Sequence, residues 1–231
     1  MRIGGIQKSS LVDYPGHVCA AIFTIGCNFR CGYCHNPELV LPDEYLDPLP
    51  TEDILRFLES RKGLLDGVAI SGGEPTLQKD LPEFIEKCKD MGFLVKLDSN
   101  GSNPDMIEDL IQRKLVDYIA MDIKGPLKKY SSIMGWDIDT DIIRRSIDLI
   151  KKSKLPHEFR TTIVKSQLEL DDFKKIGRLI KGAHQYALQK FKPNANMNNP
   201  AFKHETTYSE KELRQLQKMM EEKYVKKCVI H

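Results

Sequence analysis

The chain has 231 residues, enough for an α/β domain of ordinary size that buries roughly 70% of its unfolded surface. Its 35 lysine and arginine residues nearly balance 33 aspartate and glutamate residues, and a formal net charge of +2 gives no basis for nucleic acid as the main partner. The most apolar stretch, Val18–Phe29, falls well short of the about 20 residues of a membrane helix, so no membrane role is expected.

The opening residues, Met1-Arg2-Ile3-Gly4-Gly5, lack the basic-then-apolar pattern of an export signal. A cytoplasmic location is expected, where thiols stay reduced, so the six cysteines do not read as a disulfide framework. Cys19, Cys88 and Cys228 sit singly in apolar or amphipathic runs and read as buried structural thiols.

Strand-like and helix-like segments alternate along the chain. Val18–Ile25 is a continuous apolar run, as in a strand covered on both faces. Thr51 is placed to cap a helix through Ile54, Leu55 and Leu58, with Glu52 and Asp53 in its first turn. Gly67–Ser71 reads as a short buried strand, Leu81–Met91 as a helix and Phe93–Asp98 as the next strand. Pro104–Lys114 has proline at a helix start. Tyr118–Ile123 is a strand, Asp141–Lys152 a helix, Glu158–Val164 a strand and Asp171–Ile180 a helix; His184–Phe191 is a fainter sixth strand. Ser209 and Glu212 form a capping box for a last helix to about Glu222. Six βα units in series predict parallel strands with helical crossovers, in either a doubly wound sheet or an open barrel.

Polar residues recur where these strands give way to loops: Cys27, Gly72-Gly73-Glu74, Asp98-Ser99-Asn100-Gly101, Asp122-Ile123-Lys124 and Arg160. In parallel α/β folds such carboxyl ends build the active site. The strongest signal is Cys27-x3-Cys31-x2-Cys34, three thiols without a local fourth. Thiolates select iron–sulfur clusters, zinc or copper(I). Structural zinc usually takes four ligands, often from two distant CxxC pairs, whereas one such pair occurs here, followed directly by His35. Iron–sulfur is therefore the better reading. A four-iron cluster normally takes a thiolate at each iron, so three cysteines leave one iron open to a ligand that is not protein.

The cysteine pattern, with Tyr33 before its last cysteine, resembles the signature of the radical S-adenosylmethionine superfamily. Gly26, the tail Cys34-His35-Asn36-Pro37 and the upstream Asp13-Tyr14-Pro15-Gly16 are similar to segments of its glycyl-radical activating enzymes, such as those of pyruvate formate-lyase and anaerobic ribonucleotide reductase. The resemblance spans Ile6 to about Phe191 and implies an open partial (β/α)6 TIM-like barrel. It implies one domain over residues 1–231, with a core at about 17–195 and a C-terminal helix and tail at 205–231. It also implies a [4Fe–4S] cluster held by Cys27, Cys31 and Cys34, with S-adenosylmethionine chelating the open iron. An electron from the cluster would break a carbon–sulfur bond and yield a 5′-deoxyadenosyl radical.

Site roles follow from the same resemblance. Gly72-Gly73-Glu74-Pro75 matches a motif whose glycine carbonyls and acid receive the cofactor ammonium, although a tight turn would also explain the glycines. Asp98 and Ser99 would reach the ribose, the methionyl end or a monovalent cation; Asn100-Gly101 alone could be a plain turn. Asp122, Ile123 and Lys124 resemble an Asp-x-Lys motif in which lysine meets the cofactor carboxylate, with Asp122 and Lys124 on one side of the emerging strand. Arg160 offers a fork for a carboxylate. Tyr33 would pack near the adenine; His35 would touch the cofactor or pack the loop; Asp13 would contact an incoming peptide or serve a turn. Leu188–Asn194 lacks the histidine of the pyruvate formate-lyase activase branch and reads like the ribonucleotide-reductase branch. The expected partners are an anaerobic ribonucleoside-triphosphate reductase as substrate and flavodoxin or ferredoxin as reductant. A pyruvate formate-lyase-type activase and a small-molecule radical synthase of the 7-deazaguanine type would share this cofactor site. A non-catalytic electron-transfer module would hold a cluster without cleaving S-adenosylmethionine.

Overall fold

The computed structural model describes residues 1–231 and contains eight strands, which follow one another in chain order within one sheet. Two compact units divide the chain: Met1–Asn28 with Asn36–Ser99 and Asn103–Ile119, and Phe29–His35 with Asn100–Ser102 and Ala120–His231. No helix is long and apolar enough to cross a membrane.

In the first unit, β1 (Ile3–Ser10) runs antiparallel to β2 (Cys19–Thr24), and β2, β3 (Gly67–Gly72) and β4 (Leu94–Ser99) are parallel. The helices are α1 (Pro37–Val40), α2 (Thr51–Glu59), α3 (Leu81–Asp90) and α4 (Pro104–Gln112). The register Ala21↔Ala69 sets two small side chains on one sheet face. Tyr14, arriving from the β1–β2 connection, fills that space against Cys19, Ala21 and Ala69, with Phe23, Leu94 and Tyr118 around it. Gly67 lies under its ring: a Cβ there would stand 3.2 Å from the Tyr14 ring and 2.7 Å from the Leu94 carbonyl. Burial pushes the Tyr14 hydroxyl up to about 12, with Asp117 adding to the effect.

Strand β5 (Tyr118–Asp122) begins in the first unit and ends in the second. The second unit continues with α5 (Tyr130–Met134), α6 (Thr140–Ser153), β6 (His157–Ile163), α7 (Leu170–Leu179), β7 (Gln185–Lys190), α8 (Glu210–Lys223) and β8 (Lys227–Ile230). Strands β6, β7 and β8 are parallel. The capping box expected at Ser209 and Glu212 is formed.

Several expectations need correction. Ile3–Ser10 is a strand, although its two glycines and polar residues carry no alternation. The tail expected after α8 folds into β8, whose Cys228 pairs in register with Tyr186. Thr51 is the first residue of α2 rather than its cap; Pro50 takes the cap position and Thr51 Oγ1 donates to the Met1 carbonyl at 3.2 Å. Arg160 sits at the middle of β6, not at its exit. Cys19, Cys88 and Cys228 are all fully buried, as their apolar settings suggested.

Candidate active site

The cysteine loop opens at Gly26, whose φ of +105° turns the chain out of the sheet. Cys27 and Cys34 are half-buried and Cys31 is buried; none of the three is in a disulfide. The Cys34 amide donates to the Cys31 carbonyl at 3.1 Å, closing the CxxC turn. No group of three or more His, Cys, Asp or Glu side chains is preassembled as a metal site. The donor chemistry nonetheless fits an iron–sulfur cluster. Burial pushes the Cys31 thiol up, whereas Lys124 favours its thiolate, and a bound metal ion deprotonates a coordinating thiol outright. Beside it the Tyr33 hydroxyl is buried with no hydrogen-bond partner, an orphaned polar atom at the loop.

The Tyr33 ring is fixed on three sides. Phe191 and Phe202 meet it edge to face at 6.5 and 6.3 Å, and Lys124 Nζ lies 5.9 Å from its centroid. His35 is exposed, its ring 5.9 Å from Phe191.

In the first unit the turn after β3 is pinned by main-chain contacts. A Cβ on Gly72 would stand 2.2 Å from the Thr24 amide nitrogen, and one on Gly73 would stand 2.1 Å from the Gly26 carbonyl oxygen. The Gly73 amide donates to the Thr24 carbonyl at 2.8 Å and the Glu74 amide to the Gly26 carbonyl at 2.7 Å. Glycine is therefore required here by the protein's own backbone. Glu74 is fully buried; its Oε1 accepts from Ser99 Oγ at 2.8 Å and from the Thr76 amide at 3.1 Å. Asp98 forms an ion pair with Lys96, only 2% exposed within β4. Sequence reasoning missed Lys96, though a lysine inside the apolar run of Phe93–Asp98 was the available signal. The Asp13 amide donates to Ser10 Oγ at 3.2 Å. Burial pushes the Cys19 thiol up to about 11, with the Asp13 charge next in effect.

In the second unit, Asn100 Oδ1 accepts from the Ser102 amide at 2.9 Å, the turn role open to it from the outset. Asp122 is the centre of an ionic array. Lys124 Nζ reaches its Oδ2 at 3.0 Å and Arg160 Nε reaches its Oδ1 at 2.9 Å. Burial alone would raise the Asp122 carboxyl, but Arg160 and Lys124 hold it well below the usual carboxylate range. Burial works to lower Lys124, yet Asp122 keeps the ammonium well above its ordinary value. The Lys124 amide donates to the Tyr130 hydroxyl at 3.2 Å, a support that no sequence spacing announced. Ile123 is fully buried, its amide donating to the Arg160 carbonyl at 2.7 Å and its carbonyl accepting from Thr161 Oγ1 at 2.7 Å.

Residues 21–180 match the model of the radical SAM superfamily. A putative glycyl-radical enzyme activating enzyme of Methanocaldococcus jannaschii is 38% identical over 233 residues, covering 99% of this chain and 95% of that relative. The pyruvate formate-lyase-activating enzyme of Clostridium pasteurianum is 34% identical over 128 residues, covering 53% of this chain and 52% of the relative. Among solved structures, Streptococcus suis SuiB bound to S-adenosylmethionine superposes with a TM-score of 0.68 at 16% identity, covering 90% of this chain and 48% of SuiB. That likeness shows the fold alone, the partial (β/α)6 barrel expected from the sequence. The chain belongs to the radical S-adenosylmethionine superfamily, among its glycyl-radical-enzyme activating enzymes.

Proposed function

We propose that this enzyme installs a glycyl radical on an anaerobic ribonucleoside-triphosphate reductase, drawing its electron from a reduced flavodoxin or ferredoxin. Its cofactors are a [4Fe–4S] cluster and S-adenosylmethionine, and its partner is a glycyl-radical enzyme. When bound, they supply one-electron cleavage of the sulfonium, leaving methionine and 5′-deoxyadenosine once a glycine Cα hydrogen has been taken.

The observation that carries the reading is the array of Lys124 and Arg160 on Asp122, in the same unit as Cys31 and Cys34. Two cations on one carboxylate suit a second carboxylate, and Lys124 also touches the ring of Tyr33 within the cysteine loop. In this reading Cys27, Cys31 and Cys34 each hold an iron, while Lys124 and Arg160 orient the methionyl carboxylate. The Gly72 and Gly73 carbonyls and Glu74 receive its ammonium. Asp98 and Ser99 take the ribose or methionyl end, Tyr33 borders the adenine, and Asp13 meets the incoming peptide. The missing histidine in Leu188–Asn194 supports the reductase as partner over pyruvate formate-lyase.

Anaerobic reconstitution with iron, sulfide, S-adenosylmethionine and dithionite tests it. Release of 5′-deoxyadenosine is expected, with a glycyl-radical resonance on the reductase. A fully loaded cluster that cleaves nothing overturns the activase reading. Cleavage without a radical on the reductase, but with one on another glycyl-radical enzyme, overturns the partner.

A further inference from the structure

The segment joining β7 to α8 crosses the cysteine loop, although 167 residues separate Asn198 from Cys31 in sequence. The Asn198 amide donates to the Cys34 carbonyl at 3.1 Å, and Asn198 Nδ2 donates to the Cys31 carbonyl at 3.1 Å. The Asn199 amide donates to the Gly32 carbonyl at 3.0 Å. Two adjacent asparagines thus occupy three of the four carbonyls between Cys31 and Cys34. Asn199 Oδ1 then accepts from the Ala201 amide at 3.0 Å, starting the tight turn Pro200–His204. That turn seats Phe202 on the loop: a Cβ on Gly32 would stand 2.4 Å from the Phe202 ring, and the same ring meets Tyr33.

The orientation of the Asn198 amide is costly, and the cost identifies its purpose. Its Oδ1 is buried with no partner, a loss that an acceptor left in water would not bear. Turning the amide over would set Oδ1 against the Cys31 carbonyl, acceptor to acceptor. The donor faces the loop, and the oxygen bears the loss.

We propose that Asn198 is a positioning residue for the iron–sulfur cluster, and that with Phe202 it sets how tightly the cluster is held and at what potential it is reduced. The inference rests on the cluster reading of Cys27, Cys31 and Cys34. Without the clamp, the Cys31 carbonyl keeps its bond from the Cys34 amide but loses the one that ties it to the segment between β7 and α8. A ligand loop free to swing releases metal faster, since partners of this kind typically alter affinity 10–100-fold. Phe202 covers Gly32 and Tyr33, and water admitted there favours the more highly charged, reduced cluster.

The test compares the reconstituted full chain with Asn198→Ala, Asn198→Asp and Phe202→Ala. Chelator-driven loss of visible cluster absorbance should be about 10-fold faster in Asn198→Ala and faster still in Asn198→Asp, which sets a carboxylate against the Cys31 carbonyl. Phe202→Ala should raise the midpoint potential. Thermal unfolding of the metal-free variants, measured alongside, separates a clamp from general loss of fold. Release rates and potentials matching the wild type overturn the clamp alone. A wild-type chain that takes up no iron overturns the cluster reading and the clamp with it.

Discussion

Glu74, at the exit of β3 in the first unit, draws hydrogens from the Ser99 hydroxyl and the Thr76 amide, whereas Asp122, closing β5 in the second, draws them from an ammonium and a guanidinium. Each acid lies at or just past the carboxyl end of its own strand, yet their failures should differ. Loss of a hydroxyl removes one hydrogen bond. Loss of the Asp122 carboxylate leaves two cations facing each other in a poorly solvated place. The contrast teaches that polar groups at strand exits are not interchangeable, even where the sequence presents them as one series.

The largest effect should come from Cys31→Ala, which removes a proposed ligand: iron content and visible absorbance should vanish while the far-ultraviolet circular dichroism stays. Retention of a four-iron cluster would show that Cys31 is not a ligand. Next, Asp122→Ala should cost about 3 kcal/mol in urea unfolding, at the low end for a broken ion pair because Asp122 remains 28% exposed. Ser99→Ala should cost less, about 1.5 kcal/mol, as for one hydrogen bond to a charged group. Equal losses in the two variants would erase the contrast.

Acid sharpens it further. Because Asp122 is held below its unfolded value, its contribution is present above about pH 4 and is lost as pH falls through its folded value. The stability gap between wild type and Asp122→Asn should therefore narrow below about pH 4 in denaturant titrations; a constant gap would mean that the array does not depend on the carboxylate charge. The smallest effect concerns the lone thiols. Burial pushes Cys88 and Cys228 up to about 12 and Cys19 to about 11, so iodoacetamide at pH 8 should mark the half-buried Cys27 and Cys34 of the metal-free protein first, as read by peptide mass.

What the sequence discloses follows the range of the interaction. Strand β2 was readable because a continuous apolar stretch signals an enclosed parallel strand, whereas β6 and β7, broken by Glu158, Arg160, Gln185 and Gln189, were readable mainly from their place in the alternating series. The cysteine pattern was readable because its spacing is local. The glycine pair was readable as a need for glycine, but not its cause, since Thr24 and Gly26 lie far away in sequence. Strand β1 escaped notice because its glycines interrupt any alternation, and β8 because four residues after a helix carry too little pattern. Lys96, Tyr130, Asn198 and Phe202 act on neighbours that only folding supplies.

The pinned turn after β3 has a consequence for charge selection. Glycine-rich turns commonly cradle anions by aiming amide hydrogens outward. Here the hydrogens of residues 73 and 74 are already spent on the neighbouring strand exit. Phosphate or sulfate should find no free amide hydrogen at this corner, and the buried Glu74 carboxylate beside it adds to the bias against anions.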